Sequence, residues 1–185
     1  MTNLKALGHR LIWTPAGAWT TDEDAPRTRA ALTAEATRRV TLSEYEQRMI
    51  RPTSRLAAGT SRPAAQAEPT FLTDADAELV GTAIGEHAAI LGYVLDALAV
   101  LEDHVELVMR HHRDRPEDSI EQLKHAARMK LHAHDSSWVG HPVWANGGWS
   151  IPLERRAQLA SAIEAVRSAA GQAGQHWEFL DQSGR

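Results

Sequence analysis

The stretch that decides the fold is DADAELVGTAIGEHAAILGYVLDALAVLEDHVELVMRHHR, residues 74–113. Its apolar and histidine positions recur at alternating spacings of four and three, the pattern of a helix that lies against other helices. This first seam consists of Val80, Ile84, His87, Leu91, Val94, Leu98, Leu101, Val105, Val108 and His112. Thr73 or Asp74 is a suitable N-cap, and no proline interrupts the segment. The pattern therefore predicts one long helix over 74–113.

A second seam near the C-terminus has the same rhythm. It consists of Leu159, Ile163, Val166, Ala170, Ala173, Trp177 and Leu180. A middle helix over 116–134 is indicated by Pro116 in a first turn and by apolar residues on one face. Together these segments predict an all-α fold, in which helices over 74–113, 116–134 and 152–182 form a long antiparallel helical hairpin within a three-helix bundle.

The N-terminal third has a different character. The residues Leu11–Trp13 and Ala18–Thr20 flank a Thr-Pro-Ala-Gly turn, which predicts a β-hairpin. An arginine-rich helical arm follows over about 27–39, and the Ser43 and Glu46 pair is a capping box for a short second helix. Residues 52–73 are rich in Pro, Ala, Thr and Ser and are typical of a linker. The predicted organisation is an N-terminal hairpin and arm over 1–51, a linker over 52–73, and a bundle domain over 74–185.

Composition limits the classes of protein. With 43% hydrophobic and 24% charged residues among 185, the chain is too apolar for general disorder. It has no cysteine, which excludes disulfides, thiolate nucleophiles and cysteine-based metal sites and favours a reducing compartment. The most apolar stretch, 88–101, is shorter than the roughly 20 residues that span a bilayer. We therefore expect no membrane partner and a cytoplasmic location, or a place in a virion if the gene belongs to a phage.

Common catalytic motifs are absent from the sequence. There is no Gly-x-Ser-x-Gly, no phosphate-binding glycine loop followed by Lys-Ser or Lys-Thr, and no dinucleotide fingerprint. The seams favour a non-enzymatic helical assembly subunit of a phage virion or another bacterial multi-subunit complex, with protein subunits as partners and no cofactor. The predicted interface residues are Val94, Leu98, Leu101, Val105, Trp138, Trp144, Trp149 and Trp177.

Two tryptophan-containing segments are similar to each other. Residues 8–20 and 140–150 both place Gly-His before a tryptophan and a second tryptophan after a glycine turn. Trp144 and Trp149 lie in the second segment, and Trp138 lies just before it. We expect the two segments to close one end of the bundle or to dock against each other; the alternatives are interface anchoring and stacking on bases or sugars.

The charge distribution gives a second interpretation. The net charge is −4, but residues 27–62 contain eight arginines against three glutamates. A basic segment of this kind can bind the phosphates of RNA or DNA, so the alternative is a small helical subunit of a nucleoprotein complex. The phosphate contacts within the range Arg27 to Arg62 would be Arg27, Arg29, Arg38, Arg39, Arg48 and Arg51.

A third interpretation is a metal enzyme built on histidine and carboxylate ligands. His104 and His111 lie two turns apart if residues 74–113 are helical, and Glu121 and His125 follow on the next helix. These four residues are the candidate metal ligands. Their spacing differs from the Glu-x-x-His pairs of di-iron bundles, and the sequence has no His-Glu-x-x-His.

Overall fold

The computed structural model describes residues 6–19, 29–53 and 70–173, apart from the side chains of Arg29 and Leu32. Five strands in these ranges form one antiparallel sheet with the order β2-β5-β1-β4-β3. The strands are β1 (Gly8–Trp13), β2 (Arg51–Pro52), β3 (Leu95–Val100), β4 (Val105–Arg110) and β5 (Trp149–Leu153). The helices are α1 (Arg29–Arg39), α2 (Glu44–Met49), α3 (Asp74–Leu91), α4 (Pro116–His134) and α5 (Arg156–Gln172), with a 3-10 turn at Ser136–Trp138.

The prediction of an all-α fold is wrong, because residues 74–113 form a helix followed by two strands. Helix α3 ends at Leu91, and Gly92 adopts a left-handed conformation with φ of 73°. The Tyr93 N–H then donates to Ala88 O at 2.8 Å, which is the closing hydrogen bond of a Schellman motif. The chain turns here and returns as β3 and β4, so there is neither a long helical hairpin nor a three-helix bundle in the described residues.

Helices cover both faces of the sheet. On one face, α3 and α4 pack on a cluster that includes Leu11, Trp13 and Leu107. On the other face, α1 and α5 pack on Ile12, Val108 and their neighbours. Successive residues of β1 and β4 therefore point into two different cores. Strands that are buried on both faces are apolar at nearly every position, and such runs satisfy a heptad pattern by coincidence.

The predicted N-terminal hairpin is also wrong. Strand β1 does not pair with Ala18 or Trp19; it lies in the middle of the sheet, between β4 and β5. Pro15 to Ala18 do make a turn, with the Ala18 N–H donating to Pro15 O at 3.3 Å. Thr20 lies outside the described residues.

The predicted arm is part of the same folded unit. Helix α1 packs its Ala36 into the second core, and β2 pairs with β5. The Ser43 capping box forms as predicted, with the Glu46 N–H donating to Ser43 Oγ and the Ser43 N–H donating to Glu46. Most of the predicted linker, residues 54–69, lies outside the described residues.

The C-terminal segment of the predicted bundle begins differently from expectation. Residues 149–153 are strand β5, and the helix starts only at Arg156. Within the described ranges, no helix combines the length and the apolar character needed to cross a membrane.

Candidate active site

The candidate site lies at the turn that joins β3 to β4. The turn is tight, since the Leu101 N–H donates to His104 O at 2.8 Å. The Leu72 N–H donates to Glu102 O at 2.9 Å, which ties the segment before α3 to this turn. Asp103 and His104 are therefore held by backbone hydrogen bonds on both sides.

Asp103 accepts hydrogen bonds from three side chains. Its Oδ1 is 2.6 Å from His104 Nδ1, and its Oδ2 accepts from Trp19 Nε1 at 2.9 Å and from Arg39 Nη1 at 3.2 Å. Burial alone would raise the pKa of Asp103, but the hydrogen bonds from His104, Trp19 and Arg39 outweigh it and hold that pKa well below its usual range. Asp103 is therefore ionised at neutral pH and acts only as an acceptor.

The ionised Asp103 determines the state of the His104 ring. Because the carboxylate can only accept, the ring nitrogen Nδ1 carries a proton, and in the neutral imidazole Nε2 has the lone pair. His104 is only 6% exposed, and its ring centroid lies 5.4 Å from that of Trp19. The orientation of the imidazole is thus fixed by a hydrogen bond at one end and an aromatic neighbour at its side.

A cavity of about 470 Å³ adjoins this pair. His104, Asp103 and Arg39 line it, together with residues at the start of α3 and the end of α5. Four carboxylates border the cavity: Asp74, Glu102, Asp103 and Glu106. Arg39 balances Asp103, and Glu106 pairs with a buried arginine. The remaining charge is negative, so the cavity favours neutral or positively charged ligands.

A second ionic centre is buried next to the cavity, and its Glu106 forms part of the cavity lining. Arg10 on β1 is 0% exposed, and its Nε and Nη2 donate to Glu106 Oε2 at 3.1 and 2.5 Å. Its Nη1 donates to Glu46 Oε1 at 2.8 Å and to Thr41 O at 3.1 Å. Ser43 donates to the other oxygen of Glu46 from both its N–H and its hydroxyl. The Arg10 guanidinium thus donates its hydrogen bonds to groups of the protein itself, which is typical of a structural ion pair.

Most of the predicted interface residues lie inside the fold. Leu98, Val105 and Trp149 are buried in the two cores, and Leu101, Trp138 and Trp144 pack against those cores while partly buried. Val94, 44% exposed, is the accessible exception, and Trp177 lies outside the described residues. The interpretation as a non-enzymatic helical assembly subunit of a virion or similar complex is therefore wrong, because its seam is the interior of a sheet-containing fold.

The two tryptophan segments contact each other. Pro15 and Trp144 form an isolated β-bridge, and the Ala16 N–H donates to Val143 O at 3.0 Å. The rings of Trp13 and Trp144 meet edge to face, with centroids 6.4 Å apart. Neither segment is a hairpin: Trp13 belongs to β1 and Trp149 to β5.

The arginines predicted to bind nucleic acid have different environments. Arg38 and Arg39 both pair with Glu35, and Arg39 also pairs with Asp103. Arg48 and Arg51 are exposed on α2 and β2. Arg27 and the side chain of Arg29 lie outside the described residues.

The four candidate metal ligands are not brought together. His104 and His111 lie at opposite ends of β4, which separates their backbones by roughly 20 Å at about 3.3 Å per residue. Glu121 and His125 lie on α4, on the other side of the sheet from α5. No group of three or more potential ligands suitable for a metal ion occurs in the part of the chain that the structure describes.

Sequence reasoning identified His104 but missed its partners. Asp103 is its neighbour in the chain, and a carboxylate next to a histidine in a turn is a signal available from sequence. Trp19 and Arg39 are 84 and 64 residues away from Asp103. Their convergence depends on how α1 packs on the sheet, which no local pattern encodes.

Comparisons with known proteins do not assign the chain to a family. No protein-family model matches it, and no curated protein matches it. Among solved structures, one described as "a putative transposase from Deinococcus radiodurans R1" has 17% sequence identity and a TM-score of 0.45, covering 89% of this chain and 93% of its own. A likeness at this level identifies no function.

Proposed function

We propose that this protein is an acid–base enzyme in which His104 transfers a proton at a small substrate bound in the adjoining cavity. The observation that carries the proposal is the 2.6 Å contact between His104 Nδ1 and the ionised Asp103 at the wall of that cavity. An aspartate that holds one ring nitrogen fixes the tautomer and stabilises the imidazolium that forms when the other nitrogen accepts a proton.

The roles of the surrounding residues follow from their contacts. Asp103 is a positioning residue, because it acts through His104 by holding the Nδ1 of the imidazole. Trp19 and Arg39 hold Asp103 from the other side by donating to Oδ2. His104 Nε2 then accepts a proton from a water molecule or from a substrate hydroxyl or amine, and returns it to the leaving group.

The substrate class follows from charge. Asp74 and Glu102 have no neighbouring cation in the described lining. Because their negative charges are not compensated, the cavity would repel an anionic substrate. A neutral or cationic small molecule is therefore expected, and the cavity volume of about 470 Å³ lies within the usual range for such ligands.

The test uses p-nitrophenyl acetate, a neutral activated ester that reports on imidazole reactivity. Hydrolysis is measured for the wild type and for His104→Gln, Asp103→Asn and His134→Gln. His134 is a matched control, because it is an exposed histidine at the end of α4. We expect His104→Gln to lose at least tenfold of the protein-dependent rate, Asp103→Asn to lose part of it, and His134→Gln to retain it.

Chemical modification of histidine tests the accessibility of His104 without relying on ester hydrolysis. Diethyl pyrocarbonate modifies accessible imidazole nitrogens, and peptide mass spectrometry locates the modified residues. We expect His104 to react in the wild type and to be protected when the cavity is occupied. Equal ester hydrolysis in the wild type and His104→Gln, together with an unreactive His104, would refute the proposal.

A second candidate function concerns the exposed arginines. Arg48 and Arg51 are exposed and form no ion pair among the described residues, so their charges are available to phosphates. We propose RNA or DNA as the partner of this basic segment, with electrophoretic mobility shift as the test. Binding of single-stranded RNA or DNA that weakens steeply between 50 and 200 mM salt is expected. Binding that is unchanged by the double variant Arg48→Gln and Arg51→Gln would contradict this role.

The remaining expectations are proposals as well. A cysteine-free composition supports a reducing compartment, so we propose the cytoplasm as the location. Association with other protein subunits stays a prediction, which light scattering after size exclusion would test.

A further inference from the structure

A second cleft lies between α4 and the loop formed by residues 140–146, and it shares no lining residue with the His104 cavity. Its volume is about 740 Å³. Glu121, His125, Arg128 and His132 line it from α4, at spacings of four, three and four that place them on one helix face. His141 lines it from the loop. The cleft is thus bordered by nitrogen-bearing side chains from two segments.

The hydrogen bonds of the cleft define which atoms can donate. The Arg128 guanidinium donates from Nη2 to His125 Nδ1 at 3.2 Å. Because arginine has no acceptor, His125 Nδ1 carries the lone pair, and the Nε2 of the neutral ring carries a proton that can be donated. His132 Nε2 is buried, with no hydrogen-bond partner among the described residues. A ligand in the cleft would reach this nitrogen when the His132 ring rotates toward the cleft.

Lys124 has a structural role at the base of the cleft. Its ammonium group donates to Ala145 O at 2.7 Å and to Gly147 O at 2.5 Å, and it lies 3.5 Å from Glu121 Oε1. Trp144 is anchored in the same way, since its Nε1 donates to Lys124 O at 3.0 Å. These bonds hold the loop against α4, so the cleft is preformed.

The side chains that line this cleft favour a phosphate group over a metal ion. A metal ion is disfavoured, because no three potential ligands converge within the described ranges. Arg128 forms no ion pair with a carboxylate there, and Glu121 is already near Lys124. A guanidinium beside several imidazole groups is suited to a phosphate group, whose oxygens accept from both.

We propose that this cleft binds the phosphate group of a small phosphorylated ligand, with Arg128, His125 and His132 as the donors. The shared chemistry is a phosphoryl group, which either inorganic phosphate or a nucleotide supplies. The volume exceeds that of phosphate alone, and the partly exposed Trp144 lines the cleft beside it. The geometry therefore favours a ligand that joins phosphate to a ring system.

The test is isothermal titration calorimetry of the full chain with three probes: sodium phosphate, adenosine monophosphate and a ten-residue oligothymidylate. We expect saturable one-to-one binding of adenosine monophosphate. Arg128→Gln should weaken that binding at least tenfold, and His132→Gln should weaken it by a smaller factor. Arg113→Gln is the matched control, because Arg113 is an exposed arginine just before α4 that does not line the cleft.

The outcomes separate the possibilities. Equal affinity for phosphate and adenosine monophosphate would support free phosphate as the source, and tighter binding of the nucleotide would support a nucleotide. The proposal fails if neither binds at millimolar concentration, if Arg128→Gln and Arg113→Gln bind alike, or if only the oligonucleotide binds. If Arg128→Gln does not fold, as judged by circular dichroism, His125→Gln replaces it with the same expectation. None of these variants lies in the His104 cavity, so the result is independent of the proposed enzyme activity.

Discussion

The two ionic centres at Arg10 and Asp103 are built from similar groups but differ in access. Arg10 is fully buried, and its hydrogen bonds to Glu46 and Glu106 are made within the protein. Asp103 is held by three donors, and two of them, His104 and Arg39, border the cavity with it. The comparison teaches that buried charge by itself does not mark a functional site; a carboxylate that orients a neighbouring imidazole at a cavity wall does.

The largest expected effect is on stability at the sealed centre. Arg10→Met leaves Glu46 and Glu106 buried without a cation, so we expect the free energy of unfolding to fall by about 3–5 kcal/mol. Urea denaturation measures the change. Arg38→Met is the matched control, because Arg38 also pairs with a glutamate but is 73% exposed, and it should cost less than about 1 kcal/mol. Equal losses in the two variants would break the comparison.

Asp103→Asn should have an intermediate effect. The substitution keeps the shape of the side chain but removes the negative charge that accepts from His104, Trp19 and Arg39. Hydrogen bonds to charged groups are stronger than neutral ones, so we expect a loss of about 1–2 kcal/mol in unfolding free energy at pH 7. A loss as large as that of Arg10→Met would mean that the Asp103 centre is equally structural.

His104→Gln sharpens the comparison further, because it should affect stability little. The ring loses its contact with Trp19, worth about 1 kcal/mol, while glutamine retains a donor for Asp103. Thermal unfolding measures the stability, and ester hydrolysis measures the function. We expect His104→Gln to be at least as stable as Asp103→Asn but to be unreactive in ester hydrolysis. Full hydrolytic activity in His104→Gln would contradict this expectation.

The smallest expected effect is a change with pH in the difference in unfolding free energy between the wild type and Asp103→Asn. Because the pKa of Asp103 is held below its usual value, the unfolded chain takes up a proton below about pH 4 while the folded protein does not. The contribution of Asp103 is therefore present above that pH and is lost as the pH falls. Urea denaturation at pH 7 and pH 3 should show the gap between the two proteins narrowing; a constant gap would contradict it.

Local features of the fold were predictable from sequence, and the sheet was not. The bounds of α4, the capping box at Ser43 and the N-cap at Thr73 depend on residues within one helical turn, so the sequence pattern locates them directly. The strands β3 and β4 were mistaken for helix because both of their faces are buried and their apolar residues lack the alternation of a half-exposed strand. Gly92 was the available signal for the break, since glycine after an apolar helix commonly ends it.

Among the functional residues, too, those related by local spacing are predictable from sequence, and those brought together by the sheet are not. The stripe of Glu121, His125, Arg128 and His132 could be recognised from spacing within a correctly predicted helix. The contacts of Arg10 with Glu106, and of Trp19 with Asp103, join residues 96 and 84 positions apart. Such pairs depend on the order of the strands in the sheet, which periodicity along the chain does not determine.

The central position of β1 has a consequence for how the protein folds as it is synthesised. Residues 8–13 leave the ribosome well before their two partners, residues 105–110 and 149–153. The buried strand GHRLIW must therefore remain unpaired until both partner segments have been made, and its contacts close long loops. We expect slow folding compared with helical proteins of this length, and a need for protection of this segment from aggregation during synthesis.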